Sequence, residues 1–600
     1  MNRQKRMESL RNEMTRRGID YYLIPTADFH QSEYVGDYFK AREYISGFTG
    51  SNGTLLVGKE MAGLWTDGRY FIQAEKELAG TGISLFRMQE AGVPTISEYL
   101  AGEMSKGQTL GFDGRCISAA AGLRYEKELK EKKITISANE DLVDQIWSER
   151  PRLPCGPVKY LTEDISGESI SAKLQKIRAA LAQEKADMLL LSKLDEVMWL
   201  FNIRGCDVAC NPVTLAYAVV TRDEAVLWVQ KAACGKEVWE QLQKQGVTIS
   251  EYQNIFADLQ AQVEDQSYQI WADKDQCPYL LYKMLEKHAA ITGKKSPVEL
   301  LKAVKNPVEL ERMEDIYVKD SLALTRFIKW IKEATGKQRI TEWSAGNYAR
   351  KLRSEIPEFL DDSFKTICAY QENAAMMHYE AKEDDCREIR AEGLLLLDSG
   401  GQYTGGTTDV TRTIALGKVP AEIKRHFTAV VCGMLQLSNA VFLEGATGRN
   451  LDILARGPVW RMGIDYRCGT GHGIGYMLNV HEGPQNIRWL YNENSKEAIL
   501  QAGMIVSNEP GVYIEGSHGI RIENIMAVQE KEKNEYGTFL CFKTLTLVPI
   551  DREAIEPADM TEEEVCLLNQ YHEMVYTKLC PFLSPDEEVW LKAATAPVKK

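Results

Sequence analysis

The sequence predicts a multidomain protein of mixed α/β and α+β class, with two tandem α/β domains ahead of a larger α+β domain that carries the chemistry. Three observations predict it. At 600 residues the chain exceeds what one hydrophobic core accommodates. A pattern of helix, strands and glycines near the N-terminus recurs after a shift of 155 residues, as a tandem duplication would leave it. Near residue 300 the repeat gives way to long helices followed by glycine-rich, strand-like segments.

The first repeat opens on "MNRQKRMESLRNEMTRRGID", a charged helix without an apolar centre and therefore not a secretory signal. "DYYLIP" (20–25) reads as a buried strand, "GTLLVG" and "GLWTDGRY" as two more joined by a short turn, and residues 70–80 as a helix. In the second repeat, residues 170–184 form an amphipathic helix and "DMLLLSK" (187–193) a strand like "DYYLIP". "EVMWLFNIRG" (196–205) aligns with "REYISGFTG" (42–50), placing Gly205 against Gly50, and "LAYAVVT" and "AVLWVQ" match "GTLLVG" and "AGLWTDGRY". Between the repeats, "SERPRLPCGPV" (148–158) holds three prolines and suits a stiff linker. A second break lies at "TGKKSPVELLKAVKNPVELERM" (292–313). Helices over 307–335 and 342–356 then precede a glycine- and strand-rich region, 366–548, and a helical tail over roughly 560–593 closes the chain.

Composition bounds the function. The chain is 44% hydrophobic and 26% charged, enough to bury ample apolar surface. Its net charge of −14 argues against a nucleic-acid partner. No apolar run approaches the roughly 18 residues of a membrane span. The thirteen cysteines are scattered singly and read as reduced thiols of a cytoplasmic protein. Cys206 and Cys210 form a C-x3-C without a second pair close by, too little for a structural metal.

The chemistry gathers in three stretches. "LLLLDSGGQYTGGTTDVTRT" (394–413) ends an apolar run on Asp398, and Asp409 follows after a glycine-rich turn; a β-hairpin would set the two side by side. "AGMIVSNEPGVYIEGSHGIRIENIMAVQ" (502–529) holds Glu509 and Glu523, each beside an apolar strand-like segment, and a second hairpin would put both on one face. Burying like charges together is costly unless a cation or proton offsets them. "GTGHGIGYMLNVHEGP" (469–484) spends two of only 8 histidines, His472 and His481, in one segment crowded with glycines. Four carboxylates and an imidazole suit Mn2+, Co2+ or Zn2+ in a two-metal site, because carboxylates can bridge two cations and neutralise their charge. Arg521 lies two residues before Glu523, on the expected strand face, where it would pair with a ligand carboxylate; the Thr411 hydroxyl, two after Asp409, would act likewise.

The ordered set Asp398, Asp409, His472, Glu509 and Glu523 resembles the metal ligands of the pita-bread metallopeptidases, the group of methionine aminopeptidase, prolidase and aminopeptidase P. The tandem N-terminal domains, "WTDGRY", "WLFNIRG", "GGTTDVTRT" and the nine-residue interval from His472 to His481 are similar to the long, three-domain, cytosolic form of Xaa-Pro aminopeptidase. That resemblance implies creatinase-like domains over 1–153 and 154–300 and a pita-bread catalytic domain over 301–600, with its helical tail over about 545–600. It implies two divalent metals, Mn2+ first, with Co2+ or Zn2+ as alternatives. Asp398 binds one metal, Asp409 and Glu523 bridge both, and His472 and Glu509 complete the second. A hydroxide held between the metals attacks the scissile carbonyl, with Glu509 as proton acceptor and donor. His378, in "NAAMMHYEA", helps stabilise the tetrahedral intermediate. His481 lines the substrate pocket beside His472, and Arg69 reaches in from the N-terminal domain to hold the peptide. The substrate is a peptide with proline second; a homodimer is expected, with no nucleic acid and no membrane. The alternatives are a prolidase restricted to Xaa-Pro dipeptides and a non-catalytic peptide-binding protein on the same fold. "NIRWLYNENSKEAIL", in the 28 residues from His481 to Glu509, either shapes the pocket or pads the surface.

Overall fold

A computed structural model describes residues 2–490 and 497–600. Residues 491–496, the middle of the "NIRWLYNENSKEAIL" stretch, lie outside the described residues. The chain divides into two compact units: Met1–Glu163 with Glu168–Glu299, and Asp164–Gly167 with Leu300–Lys600.

The first unit is built twice from one plan. Arg3–Arg17 and Ile170–Glu184 are 15-residue helices, started by Asn2 and Ser169, whose side chains accept the Lys5 and Ala172 amides. Each runs into a buried strand, Tyr21–Pro25 or Met188–Leu191. The first six-stranded sheet has the order Ser84–Arg87, Ala62–Thr66, Thr54–Gly58, Tyr21–Pro25, Thr109–Phe112, Thr135–Ser137. The second has the equivalent order Val247–Glu251, Ala225–Val229, Ala216–Thr221, Met188–Leu191, Gln269–Ala272, Ala290–Thr292. The segments aligned as "REYISGFTG" and "EVMWLFNIRG" contain the short helices Ala41–Ser46 and Leu194–Leu200. Alternation sorts side chains to the two faces of the first sheet. Leu55, Val57 and Leu64 pack with Leu10 and Met14 of the first helix, while Leu23, Leu56 and Trp65 pack with Leu100 and Tyr125 on the other side.

In the second unit, Asn306 and Glu309 form a capping box, with Pro307 at the first position, and start the 28-residue helix Pro307–Ala334. Glu342–Ser354 follows. Leu324, Phe327, Ile328 and Ala345 from these helices pack on Leu395, Leu397 and Ile414 of a three-stranded antiparallel sheet, Ile367–Tyr370, Leu394–Ser399 and Val410–Ala415. A six-stranded sheet has the order Val441–Leu443, Gly537–Thr544, Asn524–Asn534, Ile505–Asn508, Gly471–Gly473, Glu482–Ile487. The strand-rich region also carries two helices, Ala421–Ser438 and Gly448–Trp460. The tail is two helices, Glu562–Leu579 and Pro585–Ala594, broken at Cys580–Phe582 where Pro581 has no amide hydrogen to continue the ladder. No described helix is long and apolar enough to cross a membrane.

Candidate metal centre

Strand alternation aims the first carboxylate. Leu395 and Leu397 face the two long helices, so Asp398 points to the opposite side of its strand with Leu396. The strands of Asp398 and Asp409 pair antiparallel, but the simple hairpin expected between the two aspartates is corrected. Asp398 stands opposite Thr411, and Asp409 lies just outside the ladder. The residues between them make a small hairpin of their own, Gly401–Tyr403 with Gly406–Thr407. The glutamates occupy a gap between two antiparallel ladders, one ending at Asn508 opposite Asn524 and the next starting at Gly511 opposite Arg521. Arg521 therefore ends one strand and Asn524 begins another, which corrects the expectation that Arg521 and Glu523 share a strand face. The Glu523 amide donates to the Thr411 carbonyl at 3.1 Å, and the Glu509 amide to the Thr470 carbonyl at 2.8 Å. These bonds tie the glutamates to the Asp409 and His472 segments.

His472 rides the short strand Gly471–Gly473, squeezed between Glu482–Ile487 and Ile505–Asn508. A Cβ on Gly471 would meet the Ser507 carbonyl oxygen at 2.0 Å, and one on Gly473 the Glu482 carbonyl oxygen at 2.3 Å. The glycines beside His472 are the condition for that approach. His472 Nδ1 donates to the Gly473 carbonyl at 2.9 Å, which turns Nε2 toward Glu509, 3.3 Å away, and Asp409, 3.6 Å away.

Ligand atoms of Asp409, His472 and Glu523 all lie within 4.8 Å of one another. Asp398 Oδ1 and Glu523 Oε1 are buried without a hydrogen-bond partner. Burial, with the charge of Asp409 added, pushes the Asp398 carboxyl up to about 6 against the pull of Arg521. Burial and then Asp409, Glu509 and Asp398 push Glu523 well above its usual range. Burial alone would lower His472, yet Asp409 and Glu509 hold it well above the ordinary imidazole value. Burial would raise Glu509, but its bond to His472 brings it below the usual carboxylate range. Four carboxylates around one imidazole, with two buried oxygens unsatisfied, form a donor set that demands cationic charge and fits divalent metal ions.

A ring of polar groups orients these side chains. Arg521 forms an ion pair with Asp398, donates to the Tyr513 hydroxyl at 2.6 Å and to Thr411 Oγ1 at 3.1 Å, and Thr411 in turn donates to Glu523 Oε2 at 2.8 Å. Ser507 Oγ accepts the His472 amide at 2.9 Å and donates to Glu509 at 3.1 Å. The His481 ring meets His472 edge-on, with centroids 4.4 Å apart. Next to it, Glu482 is buried between Lys302, 2.9 Å away, and Lys305. His378 follows the turn Gln371–Ala375, and its neighbour Met377 offers a carbonyl to Arg521 at 3.5 Å. Arg69 belongs to the first unit, where Asp67 holds it in a two-pronged pair at 2.9 and 2.8 Å. Ser507, Tyr513, Lys302 and Lys305 were missed in the sequence. Each is an ordinary residue whose partner comes from a distant segment; only the position of Ser507, two before Glu509, hinted at a role.

With this geometry in place, four family profiles match along the chain. Two are described as creatinase/prolidase N-terminal domains, at residues 6–146 and 149–309. Metallopeptidase family M24 matches 311–530, and a C-terminal region of that peptidase matches 538–598. Aminopeptidase P1 of Arabidopsis thaliana is 36% identical over 99% of both chains. A probable Xaa-Pro aminopeptidase P of Coprinopsis cinerea is 38% identical, covering 99% of this chain and 98% of that protein. The chain belongs to the aminopeptidase P family of M24 metallopeptidases. Among solved structures, the X-prolyl aminopeptidase of Caenorhabditis elegans, described as a cytosolic enzyme with a di-nuclear active site, matches with a TM-score of 0.95 at 33% identity over the whole of both chains. The Xaa-Pro dipeptidase of Bacillus anthracis, at 24% identity, shares the fold over only 64% of this chain, with a TM-score of 0.50. Membership of the aminopeptidase P family thus rests on the full length, both N-terminal repeats included.

Proposed function

We propose that the chain is a metal-dependent aminopeptidase that hydrolyses the bond between the first residue of a peptide and a proline in second place. The observation that carries this reading is the convergence of Asp398, Asp409, His472, Glu509 and Glu523 from separate segments into one cluster, in which Asp398, Asp409 and Glu523 are buried and two carboxylate oxygens are unsatisfied. In this reading Asp398, Asp409 and Glu523 would hold one divalent ion, and Asp409, Glu523, His472 and Glu509 would hold a second. Mn2+ is the first choice, and Co2+ or Zn2+ suits the same donors. When bound, such ions supply Lewis acidity toward the scissile carbonyl and toward water.

The chain's own groups do the rest. Glu509 accepts a proton from the attacking water and returns one to the leaving proline nitrogen. His481 and His378 border the substrate and donate to the oxygen that gains charge in the tetrahedral intermediate. Ser507 holds Glu509 in place, and Arg521 with Thr411 fixes Asp398 and Glu523. A proline in second place makes the scissile bond a tertiary amide without an N–H, so recognition must come from a ring pocket, which we assign beside His481. Arg69 as a peptide contact, domain limits after residues 153 and 300, a cytoplasmic location and a homodimer belong to the same proposal. For the dimer, the exposed apolar side chains Val441, Leu443, Trp460, Met462 and Trp489 of the second unit are surface of the kind interfaces use.

The test is a chelator-stripped preparation assayed with and without Mn2+ on an Xaa-Pro dipeptide, a longer Xaa-Pro-Xaa peptide and the same peptide with alanine second. Metal-restored release of the first residue from the longer proline peptide is the expected result. Cleavage of the dipeptide alone would make the protein a prolidase. Equal cleavage of the alanine peptide would sink the proline preference, and no cleavage with any metal would leave a peptide-binding protein.

A further inference from the structure

Arg412 is almost wholly buried, 1% exposed, and its hydrogen bonds go to neutral oxygens. Nη1 donates to the carbonyls of Thr411 at 2.8 Å and Glu523 at 2.5 Å. Nη2 donates to Asn524 Oδ1, the Val548 carbonyl and the Tyr571 hydroxyl, each at 2.8 Å, and Nε to the Pro549 carbonyl at 3.2 Å. Tyr571 stands on the C-terminal helix Glu562–Leu579, and its own hydroxyl donates to the Val548 carbonyl at 2.7 Å. One guanidinium therefore fastens four pieces of chain: the strand after Asp409, the backbone at Glu523, the segment 548–549 and the tail helix.

Burying a guanidinium among neutral groups is expensive, and an apolar side chain would fill a core at less cost. The cost is intelligible here because the charge lies directly behind the carboxylate cluster. Two of its four carbonyl contacts are at Glu523 itself and at Thr411, whose hydroxyl holds Glu523 Oε2. We propose that Arg412 and Tyr571 are positioning residues for the metal centre: they lock the backbone at Glu523 against the strand that follows Asp409, so that the C-terminal helix sets how firmly the metals are held. This rests on the two-metal reading given above.

The test uses the full-length protein with Tyr571→Phe, which deletes one hydroxyl, Arg412→Lys, which keeps the charge but loses the planar fork, and Tyr576→Phe as a control. The Tyr576 hydroxyl on the same helix donates to the exposed Glu588 and, among the described residues, to nothing else. Mn2+ affinity is measured by calorimetry on stripped protein, metal content after desalting, kcat and KM at limiting and saturating Mn2+, and thermal melting. Tyr571→Phe and Arg412→Lys are expected to weaken Mn2+ binding by about 10-fold or more. They should lower kcat at limiting Mn2+ with KM unchanged, and saturating Mn2+ should restore most of it; Tyr576→Phe should match the wild type. If Tyr571→Phe binds Mn2+ as tightly as wild type, the proposal is overturned, whatever happens to Arg412→Lys or to the melting temperature. If the wild type itself binds none of Mn2+, Co2+ and Zn2+, the two-metal reading falls and takes this proposal with it, so the two failures are distinguishable.

Discussion

His472 and His481 stand nine residues apart in sequence, yet their rings touch and their surroundings assign them different work. The Nε2 of His472 faces Asp409 and Glu509, whereas His481 stands beside the buried Lys302–Glu482–Lys305 group. His481→Ala should therefore leave metal content unchanged while lowering kcat by about 10²–10³-fold, the usual size of one lost donor to a developing oxyanion; metal analysis beside steady-state kinetics checks both halves. Thr411→Val removes the hydroxyl that holds Glu523 and should weaken metal binding by about 10-fold or more at nearly constant volume. The five metal-ligand candidates were legible because each lies beside an apolar run or among glycines in one sequence segment. Of the groups that orient them, Arg521 and Thr411 were legible beside the acids, but Tyr513 and Lys302 were not, since Tyr513 meets Arg521, and Lys302 meets Glu482, only after the strands are folded.

Short strands bring the centre together, and their close approach sets their tolerance. Gly471→Ala would drive a methyl group against the Ser507 carbonyl and push Gly471–Gly473 off its neighbour. We expect a loss of about 1–3 kcal/mol in stability, read by denaturant unfolding, together with weaker metal retention because His472 moves with its strand. Element by element, legibility followed periodicity. The helices at 3–17, 170–184, 307–334 and 342–354 carry a polar face and could be read. Ala421–Ser438 was not read: His426, Phe427, Thr428 and the run Val430–Leu435 are all buried, so few polar residues mark its solvent side after Arg425. Gly448–Trp460 was hidden by Gly457 and Pro458 within it. The two pairs of acids were readable as neighbours, but their true registers, with Asp398 opposite Thr411 and the glutamates in a gap between ladders, depend on irregularities no alternation pattern announces.

For the whole molecule, the doubled first unit was the most legible feature, because the repeat appears as two sheets with the same strand order, although equivalent strands begin 155 to 167 residues apart rather than at one fixed shift of 155. The charge of the centre makes stability depend on pH and metal together. In metal-free protein, Asp398 has a folded value of about 6 against an ordinary 3.8, so the stability it contributes is full below 3.8 and lost as pH rises through about 6. Glu523, also raised, has the same sign. Metal binding needs these carboxylates deprotonated, so it should strengthen and release protons over the same interval. The melting gap between Mn2+-loaded and chelated protein should accordingly widen from about pH 5 to about pH 7, which scanning calorimetry at matched ionic strength would record. The most direct test of the central claim is a Mn2+ titration of stripped protein that follows bound metal and release of the first residue from an Xaa-Pro-Xaa peptide in the same samples. The account predicts that hydrolysis is absent without metal, reaches its plateau as two ions per chain bind, and is lost in Glu523→Gln. Full hydrolysis by the stripped protein, or a Glu523→Gln variant as active as the wild type, would contradict it.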